Sequence, residues 1–247
     1  MKKLFAIIAI LGFFTLGISS VAWAQDAAAA QAVEGGIHQA LKVKFIEGSA
    51  DFMSLVAMSL IFGLAFCLER IIYLNLADTN TDKLMKGIEE ALEKGDVEAA
   101  KTIARDTRGP IASIAYQGLM RLDQGIDVVE KAIVSYGGVQ GGLLEKNMSW
   151  ITLFIAMAPS LGFLGTVIGM IMAFDKIQQA GDISPTVVAA GMKVALITTV
   201  GGLVVALILQ LFYNYLLSKL EAILNKMEDA SITLVDMAIK YNLKYKK

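Results

Sequence analysis

The chain has 247 residues, 56% of them hydrophobic, with a mean hydropathy of +0.61. Ordinary soluble domains are about 45–50% apolar, so the composition argues against that class. A formal net charge of −1 and the absence of a dense Lys/Arg cluster argue against a nucleic-acid partner. The single cysteine, Cys67, excludes a disulfide within the chain.

Apolar residues concentrate in four blocks, 4–22, 52–68, 149–174 and 194–217. About 20 apolar residues are needed for a helix to cross a bilayer. The sequence therefore predicts an all-α membrane protein. We expect three transmembrane helices with long cytoplasmic helical extensions, after an N-terminal signal sequence.

The first block has the three parts of a secretory signal: a basic start at Met1-Lys2-Lys3, a short apolar core, and small residues before a cleavage site after Ala24. An uncleaved spanning helix is the alternative. In both cases the segment 25–51 is predicted to be periplasmic. Within it, residues 37–48 are predicted to form a short amphipathic helix on the periplasmic surface of the membrane that the chain spans.

The distribution of basic residues predicts the orientation. The stretch 75–148 is rich in Lys and Arg, whereas the connection 175–192 contains only Lys176. By the positive-inside rule the former is cytoplasmic and the latter periplasmic. The predicted order is signal peptide (1–24), periplasmic segment (25–51), transmembrane helix 1 (52–74), cytoplasmic helical region (75–148), transmembrane helix 2 (149–174), periplasmic connection (175–193), transmembrane helix 3 (194–217) and cytoplasmic helical tail (218–247).

Capping signals divide the cytoplasmic region into helices. No strong stop follows until Phe174, so one long helix is predicted from the cytoplasm through the second span, with a local break at the glycines 137–142 as the alternative. The tail is predicted as an amphipathic continuation of the third span. The predicted helix starts are Thr81 or Asp82, Gly95-Asp96, Gly109-Pro110, and Asp127 with Glu130 as a weak capping box.

Small residues recur at helical spacing on the second and third spans, which predicts two smooth faces for close packing against a partner helix. Each face holds a hydroxyl, Thr166 or Thr199, about 8–12 Å from the outer end of its helix. The alternative is that each threonine bonds only its own i−4 carbonyl. The small residues of these faces, predicted to contact a partner helix, are Pro159, Gly162, Gly169 and Ala173 on one span, and Ala195, Gly202 and Ala206 on the other.

Neither 149–174 nor 194–217 contains Asp, Glu, His, Lys or Arg. Proton relays across membranes depend on such groups. If protons cross here, a second polypeptide must supply the titrating group. Lys193 stands at the outer boundary, where it can extend to the interface, and Glu69 and Arg70 at the inner end of the first span can pair.

Four motifs resemble those of the MotA/TolQ/ExbB proton-channel family. They are APSLGFLGTVIGM (158–170), ALITTVGGL (195–203) followed by Tyr213-Asn214, GDVE (95–98) and TRGP (107–110). The resemblance covers about 50–245. Three spans and the extension outside the cytoplasm favour the ExbB/TolQ branch, with ExbB-like members the most similar.

The resemblance implies a multi-pass protein of the bacterial inner membrane with a periplasmic N-terminus. It implies a homopentamer that surrounds the transmembrane helices of an ExbD- or TolR-like partner, whose Asp carries protons, and that works with a TonB-like energy transducer in outer-membrane transport. No cofactor is implied beyond the H⁺ gradient. Thr166 and Thr199 match the family positions that face the partner's Asp, and so form the implied ion pathway.

Two positions depart from the family pattern. Many ExbB and TolQ proteins have Glu where this chain has Val194, and here Lys193 precedes it, so the role of that Glu does not carry over. The usual Ile-Pro-Ala in the third span is replaced by Leu207-Ile208-Leu209, which removes the expected kink.

Other functions remain as alternatives. A non-conducting membrane scaffold, or a TolQ-like or gliding-type stator that powers another process, would retain the same packing. A solute transporter is disfavoured by three spans without matching broken-helix halves. An enzyme is not predicted, because the spans contain no nucleophile–base arrangement and the only histidine, His38, lies in the N-terminal segment.

The missing carboxylate gives a direct prediction. Purified alone in proteoliposomes with a pH-sensitive dye, this chain should carry no proton flux above protein-free vesicles. The same vesicles treated with a protonophore provide the positive control. Flux from the isolated chain that disappears with Thr166→Val would contradict the requirement for a partner.

Overall fold

The computed structural model describes residues 36–181 and 185–245. The signal-peptide prediction, 1–24, and the segment up to residue 35 lie outside the described residues. Within the described ranges every regular element is helical and no strand occurs.

Eight α-helices and one short 3₁₀ helix make up the described chain. They are α1 (Gly36–Glu47), α2 (Ala50–Ala77), α3 (Thr81–Glu93), α4 (Val97–Asp106), α5 (Pro110–Leu119), the 3₁₀ turn (Leu122–Gln124), α6 (Ile126–Glu145), α7 (Met148–Ala180) and α8 (Pro185–Tyr245).

Three helices are long and apolar enough to cross a membrane, and they contain the three predicted spans. The predicted segments 52–74, 149–174 and 194–217 lie within α2, α7 and α8 respectively. The last of these continues without interruption through the tail, where most of the apolar positions that the spacing assigns to the packed face are buried. They include Leu220, Ile223, Met227, Leu234 and Ala238.

Contacts divide the chain into two compact units. The described part of the smaller unit comprises residues 36–53, 165–181 and 185–198. The larger unit comprises 54–164 and 199–245, and contains the main hydrophobic core.

Helix starts in the larger unit agree with the sequence at two places. Asp96 caps α4 by accepting a hydrogen bond from Ala99 N at 2.9 Å, and Pro110 occupies the first turn of α5. At α3 the cap is Asn80 rather than Thr81 or Asp82, and its side chain accepts from Lys83 N at 3.2 Å.

The capping box predicted from Asp127 and Glu130 is wrong, because α6 begins one residue before Asp127 and its cap is Gly125, with no side-chain hydrogen bond. Gly125 has φ = 108°, a conformation that glycine adopts without a steric penalty. The backbone turn therefore starts this helix without a side-chain cap.

The predicted continuous helix through the second span is also wrong. Helix α6 ends at Glu145, and α7 begins at Met148 after Asn147, whose φ of 67° is left-handed. The glycines proposed as the alternative break, 137–142, are all helical. The break therefore lies five residues beyond the last of them.

Side chains from α2 fix this break. The buried Arg70 donates from Nη1 to the carbonyl oxygen of Leu144 at 3.3 Å, satisfying one of the last carbonyls of α6. Glu69 accepts from Asn147 Nδ2 at 3.3 Å and from Arg70 Nε at 2.7 Å. A cation at a helix C-terminus is also favoured by the helix dipole. The predicted pairing of Glu69 with Arg70 is confirmed, and the pair ties α2 to the end of α6 and to Asn147 in the link before α7.

Replacing Arg70 should destabilise the larger unit. Arg70→Leu leaves the Leu144 carbonyl and the Glu69 carboxylate without their cationic partner, so we expect a loss of about 3 kcal/mol in the free energy of unfolding. Titration with SDS in mixed micelles measures it. Arg105→Leu is the matched control, because Arg105 and its partner Asp106 have side-chain exposures of 65% and 67%, and its loss should stay below about 0.5 kcal/mol. Equal losses would show that the α6 cap is unimportant.

Candidate functional site

In the larger unit, α7 and α8 approach each other at backbone distance. A Cβ placed on Gly202 would lie 2.5 Å from the carbonyl oxygen of Ala158 and 3.2 Å from the Cα of Gly162. No side chain fits there. Small residues permit this kind of contact between membrane helices.

The same two helices pack closely in the smaller unit. A Cβ on Gly165 would lie 2.8 Å from Thr198 Oγ1, and one on Gly191 would overlap the Cβ of Ala173. Gly169 lies against Ala195, with the corresponding Cβ–Cβ distance at 3.5 Å. Glycine and alanine thus set the α7–α8 separation here too.

These contacts change the interpretation of the small-residue faces. The structure gives five of the predicted residues a neighbour in their own chain, so they are buried between α7 and α8 instead of forming an open surface. Pro159 and Ala206 are half-buried. Any contact of these seven residues with a partner helix remains a prediction. The five buried residues are Gly162, Gly169, Ala173, Ala195 and Gly202.

Bulky side chains point away from this contact. The predicted bulky face of α7 is exposed at Phe163, Val167 and Phe174, while Met170 is half-buried. On α8 several large apolar residues of the predicted span are exposed as well, namely Leu196, Val200, Leu203, Val204 and Leu207. These surfaces are suited to lipid or to other apolar helices.

In the smaller unit, the hydroxyl of Thr166 crosses to the neighbouring helix. Its Oγ1 donates to the carbonyl oxygen of Ala195 at 3.1 Å, and the side chain is half-buried. The same carbonyl accepts a second hydrogen bond, at 2.8 Å, from Thr198. An i−4 bond within α7 therefore does not by itself account for Thr166.

In the larger unit, Thr199 makes the corresponding bond in the opposite direction. Its Oγ1 donates to the carbonyl oxygen of Gly162 at 3.4 Å, and it too is half-buried. Gly162 precedes Thr166 by four residues, and Ala195 precedes Thr199 by four. The carbonyl that Thr166 binds therefore lies one helical turn before Thr199 in the sequence. Likewise, the carbonyl that Thr199 binds lies one turn before Thr166.

Sequence reasoning missed Thr198 as a structural residue. It is fully buried, and it occupies the space that Gly165 leaves on α7. The only feature of the sequence that could have indicated this role is the position of Thr198 next to Thr199. Helical spacing alone does not tell which of two adjacent threonines faces a neighbouring helix.

Lys193, predicted to extend to the membrane interface, forms an ion pair within the smaller unit. Its Nζ donates to Glu47 Oε1 at 2.8 Å. Hydrogen bonds from Lys193 and then from Lys44 hold the pKa of the Glu47 carboxyl below its usual range. The pair therefore persists as pH falls to the ordinary carboxylate range, and is lost only below it, when Glu47 takes up a proton.

The chemistry of this site is that of hydroxyls and backbone carbonyls in apolar surroundings. Across the described ranges, no three His, Cys, Asp or Glu side chains lie together as a metal site would require. A hydroxyl and a carbonyl can orient water or a carboxyl group, but they do not change charge near neutral pH.

The three long apolar helices and their close glycine contacts define a multi-pass membrane protein. Residues 106–229, half of the chain, match the model of the MotA/TolQ/ExbB proton channel family. The chain belongs to this family.

Individual relatives carry ExbB names. The chain is 31% identical over 176 residues to a homolog of the biopolymer transport protein ExbB from Methanothermobacter thermautotrophicus, a match over 70% of this chain and 62% of that protein. It is 36% identical over 109 residues to the biopolymer transport protein exbB1 of Vibrio cholerae, covering 37% and 48% of the two chains. It is 32% identical over 83 residues to ExbB of Helicobacter pylori, covering 34% and 57%. The chain thus spans about half to three fifths of the length of these relatives.

The close helix contact can be tested at two glycines. Gly202→Ala places a methyl group against the Ala158 carbonyl, so we expect it to destabilise the protein by about 2 kcal/mol. Gly142→Ala is the control, because a Cβ there meets nothing within 4 Å, and helix propensity should stabilise it by up to about 1 kcal/mol. Unfolding in mixed micelles measures both. A neutral Gly202→Ala would mean that α7 and α8 separate without cost.

Proposed function

We propose that this chain is the pore-forming subunit of an inner-membrane, proton-driven motor complex of the ExbB type. In this proposal a homopentamer surrounds the single transmembrane helices of an ExbD- or TolR-like partner. Proton flow through the complex does work for a TonB-like transducer and for outer-membrane transport. The H⁺ gradient supplies the energy, and no cofactor takes part.

The observation that carries the proposal is the pair of half-buried threonines on spans without charged residues. Thr166 and Thr199 each bond a carbonyl on the neighbouring helix. They lie on segments, 149–174 and 194–217, that contain no ionisable side chain. Oriented hydroxyls in apolar surroundings are the polar contacts that a carboxyl group from another chain needs on entering a membrane.

The roles of the two chains follow from what each can do with a proton. The partner's Asp takes up and releases it, because the pathway threonines do not titrate near neutral pH. Thr166 and Thr199 hydrogen-bond the Asp carboxyl or a water beside it. Within its own unit, each hydroxyl is held by its hydrogen bond to a carbonyl of the opposing helix.

The surfaces available to other helices support this arrangement with one adjustment. The buried glycines hold α7 to α8, so a partner helix meets Thr166, Thr199, Pro159 and Ala206, which remain half-buried. The bulky exposed residues of both helices then face lipid or the next copy in the ring.

Valine substitution tests the role of the hydroxyls. In a purified complex with the single-span partner encoded nearest to this chain, Thr166→Val and Thr199→Val should each lower proton flux at least tenfold while assembly is kept. Thr152→Val is the matched control on α7, because that hydroxyl donates to the Met148 and Ser149 carbonyls of its own helix. It should conduct normally.

Two results would count against the proposal. A complex whose flux and transport are unchanged by both valine variants would be a scaffold. Failure of any single-span protein with a membrane Asp to copurify with the chain would remove the proposed source of the titrating group.

A further inference from the structure

A carboxylate from α1, Glu47, holds a lysine that lies next to the proposed pathway, Lys193. Glu47 accepts from Lys193 at 2.8 Å through Oε1 and from Lys44 at 3.0 Å through Oε2. Its side chain is 29% exposed, whereas those of Lys193 and Lys44 are 55% and 46% exposed. Glu47 is thus the more enclosed member, with an ammonium group on each oxygen.

The backbone beside Glu47 places this carboxylate. The next residue is Gly48, where a Cβ would lie 2.8 Å from Ile197 Cγ2. Ile197 is one helical turn beyond Lys193 on α8. The end of α1 therefore rests directly on α8, and only a residue without a side chain permits that approach.

Lys193 is close along the helix to the first pathway hydroxyl. Ala195, whose carbonyl binds Thr166, follows it by two residues, or about 3 Å of helix rise. All of these residues belong to the smaller unit. An uncompensated ammonium here would repel any cation that approaches Thr166.

We propose that Glu47 is a positioning residue that draws the Lys193 ammonium toward α1 and lowers the summed positive charge of Lys44 and Lys193 by one unit at this end of the proton path. The expected effect on proton flux rests on the proposed function. The lowered charge itself can be measured without proton flux. A unit charge about 10 Å away in water changes the local concentration of a monovalent cation about twofold, and more in a less polar medium.

Flux measurements separate this effect on charge from a mechanical tether. Glu47→Gln leaves Lys193 uncompensated and should lower proton flux about twofold or more. Glu47→Asp keeps the charge and should retain flux. The double variant Glu47→Gln with Lys193→Gln has no free ammonium at position 193, so it should recover the wild-type rate. A tether predicts instead that the double variant is as impaired as Glu47→Gln.

A second readout reports the local charge directly. Met192 is 46% exposed and adjacent to Lys193. Met192→Cys, made with Cys67→Ala, can be modified by an anionic and by a cationic methanethiosulfonate. Adding Glu47→Gln should raise the anionic-to-cationic rate ratio about fourfold at low salt, because each rate changes about twofold in opposite directions. Adding Lys193→Gln to this variant should return the rate ratio to its original value.

Together, the flux and modification measurements show whether the inference about Glu47 or the proposed function is wrong. A ratio unchanged by Glu47→Gln overturns the inference, whatever the flux. A double variant that remains impaired in flux overturns it as well. The ratio of modification rates could change fourfold while proton flux stays the same in Thr166→Val and Thr199→Val. That result would confirm the effect of Glu47 on the local charge and reject the proton-path function.

Discussion

The close approach of α7 and α8 is the constraint on which the proposed site depends. Gly202 brings the two backbones so near that the carbonyl groups of one helix come within reach of hydroxyls on the other. With larger residues at the contact, the carbonyls would face only their own helices. The same approach turns the large apolar side chains outward. Polar contacts inside and apolar surface outside are therefore two results of one packing arrangement.

The sequence predicts features that depend on a single helix and misses those that depend on two. The three spans were correct, because the length of an apolar block needs no knowledge of its neighbours. The prediction of one continuous helix through the second span is wrong, because the chain at the break is bound by Glu69 and Arg70, which lie on a helix more than 70 residues earlier. Likewise, spacing identified Gly162 as part of a small-residue face but could not tell that the face packs inside the same chain.

Charged groups illustrate the same limit. The position of Lys193 at the edge of an apolar block suggested contact with the membrane interface. Its partner, Glu47, is 146 residues away in sequence and reaches it only because α1 rests on α8 at Gly48. A long, flexible ammonium side chain has several possible partners, and the fold selects one. Helical spacing in the sequence singles out Thr166 and Thr199, but only the structure shows which carbonyls their hydroxyls bind.

The break between α6 and α7 has a mechanical consequence. An unbroken helix transmits a twist about its axis from one end to the other. Helices α6 and α7 are separated by Lys146 and by the left-handed Asn147, so they do not form one continuous helix that would carry a twist directly. The end of α6 is held instead by Arg70 of α2. Helix α6 is therefore anchored to a neighbouring helix and not to the backbone of the span that follows it.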